Sequence, residues 1–296
     1  MGIAILSGVM ASLRDLPEND PLTIPERLPQ HFIACVRRTA SREKVESSLA
    51  GYEDMLTTYV NDNVRALEEA DVVILSCKPQ MVKEILSEPG VLEAIAGKLL
   101  VSILAGVPVE QIEGILYGSP FNGDIWPDDR CRIVRAMPNT ASFVRESMTV
   151  IATTAHPLPQ SSSTLLTWIF SQIGRVVHLP PSAMDACTAL CGSGPAFMAL
   201  VLEAIADGAV AMGLPRSEAQ IMAAQTMRGT TGLVLNGEHP AILRDKVSTP
   251  GGCTIGGLLV VEEGRVRGTL ARAIREATTV ASMLGQGMQG VNGTRF

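Results

Sequence analysis

Ala70-Asp71-Val72-Val73-Ile74-Leu75-Ser76-Cys77-Lys78-Pro79-Gln80 sets a continuous apolar run between an acidic start and a lysine–proline stop. A run of this length bounded by turn signals reads as a strand buried on both faces, the kind that builds parallel sheets. Similar short runs recur at 32–36, 57–60, 99–103, 133–136, 148–153 and 176–179, and 42–49, 80–86 and 165–173 carry helix-like spacing between them. Alternation of this kind predicts a parallel α/β sheet.

Upstream, Met1-Gly2-Ile3-Ala4-Ile5-Leu6-Ser7-Gly8-Val9-Met10 reads as the first helix of a Rossmann dinucleotide-binding unit, with Gly2 as the last glycine of G-x-G-x-x-G. The strand and the first two glycines of that motif would precede Met1. In a doubly wound sheet that strand is central, so its neighbours are expected about 9–10 Å apart and unpaired. Four or five buried side chains at ~1.5–3 kcal/mol each would be missing from a margin of ~5–15 kcal/mol. The chain as written is therefore expected to fold poorly and to hold a pyrophosphate without its tight turn. Met1 is expected to be an internal methionine of a longer chain; the competing reading is a short variant that has lost catalysis. A signal peptide would need a positive segment before Ile3, and myristoylation would need Ser or Thr where Leu6 stands. The proline-rich 17–29 segment reads as a surface loop of unusual length for a βαβ unit.

After Pro180-Pro181 strand signals vanish. Helical stretches follow at 185–212, around a break at Gly192-Ser193-Gly194-Pro195, and at 216–235, 255–263 and 266–284. The apolar 186–202 stretch is too short and too interrupted to predict a bilayer span. The expected architecture is an α/β Rossmann-like dinucleotide-binding domain lacking its first strand, residues 1–180, followed by an all-α domain, residues 181–296. Helices this rich in Ala, Gly and Met bury more than one stripe, which predicts oligomerisation.

Composition narrows the function. With 296 residues, 46% hydrophobic and 18% charged, the chain is a globular protein, and a net charge of −6 argues against a nucleic-acid partner. Six cysteines without C-x-x-C or Cys/His ligand spacing indicate neither zinc nor a disulfide framework, and fit a reducing, cytoplasmic compartment.

Arg37 and Arg38 follow the 32–36 strand where NAD-specific folds place an acid; arginines there would pair with a 2′-phosphate and select NADPH, unless they merely solvate a turn. Cys77, Lys78 and Pro79 end the 72–76 strand, where ligands of open sheets bind, although Lys78 reads equally as a surface lysine. Ala105 and Asn139 lie at equivalent strand ends; Asn139 could orient a nicotinamide amide or simply shape a turn. In the helical half, Asp245-Lys246-Val247-Ser248-Thr249-Pro250-Gly251-Gly252-Cys253-Thr254 is a loop whose proline and glycines can gather backbone N–H groups before a helix starting near Ile255. Such a nest binds a small carboxylate; it could also be a tight helix connection capped by Thr254.

The run from Leu243 to Ile255, with Cys191-Gly192-Ser193-Gly194-Pro195-Ala196-Phe197, resembles the signature of the pyrroline-5-carboxylate reductases. Supporting matches at 73–80, 101–107, 135–140, 207–209 and 213–215 extend the resemblance over nearly the whole chain. The resemblance implies the last step of proline biosynthesis: hydride transfer from NADPH, or NADH, to the C=N carbon of the cyclic imine, which becomes C5 of proline. It implies a homodimer or higher homo-oligomer in which the partner's helical domain completes the site. It places the substrate carboxylate on Val247, Thr249, Gly251, Gly252, Cys253 and Thr254, with Thr254 as the catalytic residue at the ring nitrogen. It places the cofactor against Asn63, Arg37, Lys78, Pro79 and Ala105, to which position in the sequence adds Gly2, Arg38, Cys77 and Asn139, and no metal is expected. Cys253 departs from the small residue common there. The alternatives are a Rossmann-plus-helical 3-hydroxyacid-type dehydrogenase, which needs a lysine in the helical domain, where only Lys246 stands, and a catalytically impaired subunit of a larger oligomer.

Overall fold

The structure is a computed structural model and describes residues 1–15, 25–285 and 288, so most of the 17–29 loop lies outside the described residues. The first part runs α1 (Gly2–Arg14), β1 (Phe32–Val36), α2 (Thr39–Ser48), β2 (Leu56–Val60), α3 (Asn63–Glu69) and β3 (Val72–Leu75). It continues with α4 (Val82–Leu86), α5 (Val91–Ala94), β4 (Leu99–Ser102), α6 (Val109–Tyr117), β5 (Arg132–Met137), β6 (Ser147–Ala152), α7 (Gln160–Ser171) and β7 (Gly174–Leu179). Helices then take over: α8 (Met184–Cys187), α9 (Gly194–Ala211), α10 (Arg216–Leu235), α11 (Pro240–Val247), α12 (Cys253–Glu263) and α13 (Val266–Gly285). Residues 1–192 and 278–296 make one compact unit and 193–277 a second.

In the first unit β3, β4 and β5 pair in parallel, β6 runs antiparallel to β5, and β7 is parallel to β6. The expected all-parallel series is thus corrected at β6. The physical reason is length: residues 138–146 are too few for a parallel crossover, which takes a dozen or more. They hold a short 3₁₀ turn, Thr140–Val144, closed by Arg145 at φ +57°. The chain therefore turns back beside β5.

β1 and β2 pair in parallel as a separate two-stranded sheet, and β1 makes no ladder with β3. α1 packs on both sheets. Its Ile5 and Val9 join Val101, Val134 and Phe170 in one core cluster, and its Met10 joins Val45 and Leu49 in another that takes in Ala34 and Val36 of β1. The open seam shows in burial: every residue of β1 and β2 is only partly buried, whereas all of β4 is buried. Amides of β1 and β2 should exchange with deuterium at least about tenfold faster than those of β4, because backbone protection follows local burial. Equal protection in the two sheets would contradict this picture.

The predicted break at Gly192–Pro195 does not interrupt the helical run. Thr188–Ser193 forms a π-helical turn that leads into α9, and Pro195 sits in the first turn of that helix, where its missing N–H costs nothing. The run Pro181–Ala211 is consequently long and apolar enough to cross a membrane by length and composition, contrary to the expectation of a stretch too short to do so. Only 22% of its apolar window is buried.

In the second unit α9 packs on α10, and apolar side chains face outward: Leu200, Ile205, Ile221, Met222, Leu259 and Val260 are each more than half exposed. Neither α11 nor α12 buries a single residue. A helical unit of this kind has left its apolar surface for something else to cover.

Candidate functional site

The strand ends of the first unit bring several of the singled-out residues to one edge. Gly2 opens α1 with no side-chain cap, and a Cβ on it would stand 3.2 Å from Ser76 Oγ, just past β3. The first N–H groups of this 13-residue helix have no partner within it, so they present a partial positive charge beside the end of β3. Ser76 drew no separate attention in the sequence; its contact with Gly2 is a long-range one that no spacing rule reports.

Arg37 and Arg38 follow β1 and are both exposed, Arg38 serving as the backbone N-cap of α2. Among the described residues neither enters an ion pair. Lys78 is likewise exposed and precedes the 3₁₀ turn begun by Pro79, which is half-buried, and Ala105 lies exposed beyond β4. Cys77 is half-buried, and burial pushes its thiol up.

Two asparagines are already engaged. Asn63, at the start of α3, accepts from Cys35 Sγ at 3.3 Å and donates through Nδ2 to Glu88 Oε2 at 2.8 Å. Asn139, at the end of β5, is 9% exposed; its Oδ1 accepts from the Ala141 N–H and its Nδ2 donates to the Cys191 carbonyl, each at 3.0 Å. The Cys191 carbonyl belongs to the π-helical turn, so Asn139 ties the end of β5 to that turn.

The second unit carries the loop. α11 extends through Val247, so the irregular part shrinks to residues 248–252, and α12 starts at Cys253, two residues earlier than expected. The earlier start has a local cause. Gly251 takes φ +67°, where only glycine is comfortable, and the Gly252 N–H bonds Thr249 O at 3.1 Å, closing a tight turn directly into the helix. Gly252 is the N-cap, with no side chain to satisfy the N–H groups of Cys253, Thr254 and Ile255. Thr254 therefore does not cap the helix. It lies in its first turn, half-buried, while Val247, Thr249, Gly251 and Cys253 are exposed. The result is an 11-residue helix with an open N-terminus, a threonine hydroxyl with no hydrogen-bond partner among the described residues, and an adjacent thiol.

Lys246, the lysine a hydroxyacid dehydrogenase would require, is held by Glu238, with Nζ at 2.7 and 2.8 Å from its two carboxylate oxygens. Among the described residues no cluster of His, Cys, Asp and Glu is arranged to hold a metal.

Comparison with known proteins agrees with this layout. Residues 181–284 match the family described as pyrroline-5-carboxylate reductase dimerisation, and residues 1–106 match NADP oxidoreductase, coenzyme F420-dependent. The pyrroline-5-carboxylate reductase of Lophium arboricola is 61% identical over 302 residues, covering 100% of this chain and 94% of its own. That of Neurospora crassa is 54% identical, covering 100% and 93%. Among solved structures, the pyrroline-5-carboxylate reductase of Coxiella burnetii superposes with a TM-score of 0.75 at 26% identity, over 96% of this chain and 95% of that one. An α/β dinucleotide-binding part, a helical part with an open helix N-terminus, and relatives matched along the full length together place the chain in the pyrroline-5-carboxylate reductase family.

Proposed function

We propose that this protein reduces 1-pyrroline-5-carboxylate to proline with NADPH, accepting NADH less well. The observation that carries the reading is the uncapped N-terminus of α12, behind the Gly251–Gly252 turn. Its backbone N–H groups receive the substrate carboxylate, with Val247, Thr249, Gly251, Gly252 and Cys253 shaping the pocket. Thr254 Oγ accepts a hydrogen bond from the protonated ring nitrogen and fixes which face of the ring is presented. No strong acid or base is required, because a protonated imine is already electrophilic and positioning supplies much of the rate.

The residues at the strand ends fit a dinucleotide phosphate: an open helix N-terminus at Gly2 close to Ser76, exposed arginines after β1 with no ion pair among the described residues, and an exposed Lys78 after β3. Bound there, NADPH would supply the hydride that adds to the C=N carbon of the imine, the atom that becomes C5 of proline. Arg37 and Arg38 hold the 2′-phosphate, and Cys77, Lys78, Pro79 and Ala105 line the path toward the nicotinamide. Asn63 and Asn139 act from behind, each amide committed to protein partners, by fixing the shape of the α3 start and of the π-helical turn.

In this reading residues 1–180 bind the cofactor and residues 181–296 form the substrate and dimerisation part. The exposed apolar faces of α9, α10 and α12 are then covered by a second copy, giving a homodimer or larger homo-oligomer in the cytoplasm. Replacing Arg37 and Arg38 together by alanine should lower kcat/KM for NADPH by about tenfold or more and change that for NADH less than about twofold, since charge-assisted bonds to a phosphate are lost. Equal losses with both cofactors would reject the assignment of the arginines.

A further inference from the structure

A cavity of about 540 Å³ in the first unit shares no residue with the cofactor and substrate positions assigned above. Arg135, on β5, lines it. The residue is 8% exposed, and its Nε and Nη2 are shut off from solvent without a hydrogen-bond partner. Burial pushes its guanidinium down from the usual range, and the charges of Asp185 and Glu110 work against that shift. A cation enclosed with unmet donors is what a bound anion would satisfy.

The rest of the lining says which anion. Glu110, Glu113 and Asp185 line the cavity together with Arg132 and Arg135. That acidic excess repels a phosphate or a dicarboxylate and suits a ligand carrying one carboxylate and one ammonium. Glu113 already accepts the Phe121 N–H at 3.2 Å, which leaves Asp185 and Glu110 for the ammonium. Phe121, Trp126 and His156 add an aromatic wall, with ring centroids 5.1 to 5.4 Å apart and the first two rings edge to face. Such a wall takes an apolar side chain.

We propose that this cavity binds a free α-amino acid with an apolar side chain. The carboxylate pairs with Arg135, whose side chain turns into the cavity to bring Nε and Nη2 to it. The ammonium faces Asp185 and Glu110, and the side chain rests on Phe121 and Trp126. Asp185 opens the helical run from α8 into α9, and Ser282 and Gly285 of α13 also line the cavity, so an occupant joins β5 to two helices.

The test is calorimetric titration of the assembled protein with L-phenylalanine as probe. Saturable binding is expected, one molecule per chain, with L-phenylalaninamide and 3-phenylpropionate each at least about tenfold weaker because each lacks one of the two charges. Phe121→Ala should weaken binding at least about tenfold and leave kcat and KM for the reductase reaction unchanged. It is the primary variant, because removing Arg135 from a buried strand endangers folding. Thr254→Ala should keep full affinity, which separates this cavity from the α12 loop. Absence of saturable binding, an amide that binds as well as the acid, or loss of binding in Thr254→Ala would each overturn the proposal.

Discussion

Replacing Thr254 by alanine is expected to lower kcat/KM for the imine by roughly tenfold to a hundredfold while leaving NADPH affinity unchanged. The expectation rests on position. Thr254 lies in the first turn of an α12 that has no side-chain cap, so its hydroxyl is the one polar side-chain group of that turn besides the Cys253 thiol. A hydrogen bond to a charged group is worth about 1.5–3 kcal/mol, which converts to that range of rate. The hydrogen bond is already made to the charged imine in the bound state and weakens as hydride neutralises it, so the loss should fall at least as much on KM as on kcat. Thr254→Ser should recover most of the activity, whereas a purely structural role for the residue would be rescued better by valine. Equal activity in wild type and Thr254→Ala would remove the residue from the mechanism.

Gly174→Ala should destabilise the protein by more than about 4 kcal/mol, a large part of a typical margin of ~5–15 kcal/mol. Gly174 opens β7 opposite Ser147 of β6, at φ +145°, and a Cβ there would stand 2.0 Å from Ser147 O and 2.4 Å from Ser147 N. Both are backbone atoms of a paired strand, which cannot rotate away as a side chain would. Either the strands part or the start of β7 is lost. The damage would spread, because Ser147 Oγ accepts the Asn139 N–H at 3.0 Å and so helps hold the end of β5. Urea titration measures the effect. Gly114→Ala is the control: that glycine lies inside α6 with nothing within 4 Å of an added Cβ, and the change should stabilise by up to about 1 kcal/mol. A loss below about 1 kcal/mol for Gly174→Ala would show that the β6–β7 pairing yields easily.

Much of the fold was legible because its strands are continuous apolar runs and its long helices are periodic. β1 at Phe32–Val36 and α10 at Arg216–Leu235 fall where the sequence pattern places them. Short helices were less visible: α3 spans only seven residues and α11 eight, too few for a period to declare itself, and the end of α11 from Asp245 onward reads as part of the loop that follows it. The direction of β6 could not be read from its residues, since an apolar run looks the same in either sense; only the brevity of residues 138–146 decides it. The π-helical turn was read as a break because Gly and Pro usually end helices.

The site was legible to a similar depth. Strand ends and the glycine turn announce themselves locally, so Arg37, Lys78 and Gly251 could be singled out by position alone. What Asn63 and Asn139 do depends on Glu88 and Cys191, partners 25 and 52 residues away, and no local pattern encodes such pairs. Arg135 illustrates the same limit from the other side. An arginine in a strand reads as an edge or surface residue, and only the packed sheet shows it enclosed and unmet.

The central claim is that hydride passes from the cofactor to the C=N carbon of a cyclic imine held at the start of α12, the carbon that becomes C5 of proline. Its most direct test is turnover of 1-pyrroline-5-carboxylate with NADPH deuterated at the transferable position of the nicotinamide, followed by mass analysis of the product. The account predicts proline carrying one deuterium at C5, formed one-for-one with cofactor oxidised. Folded protein that binds NADPH yet forms no proline, or forms proline without the label, would contradict it.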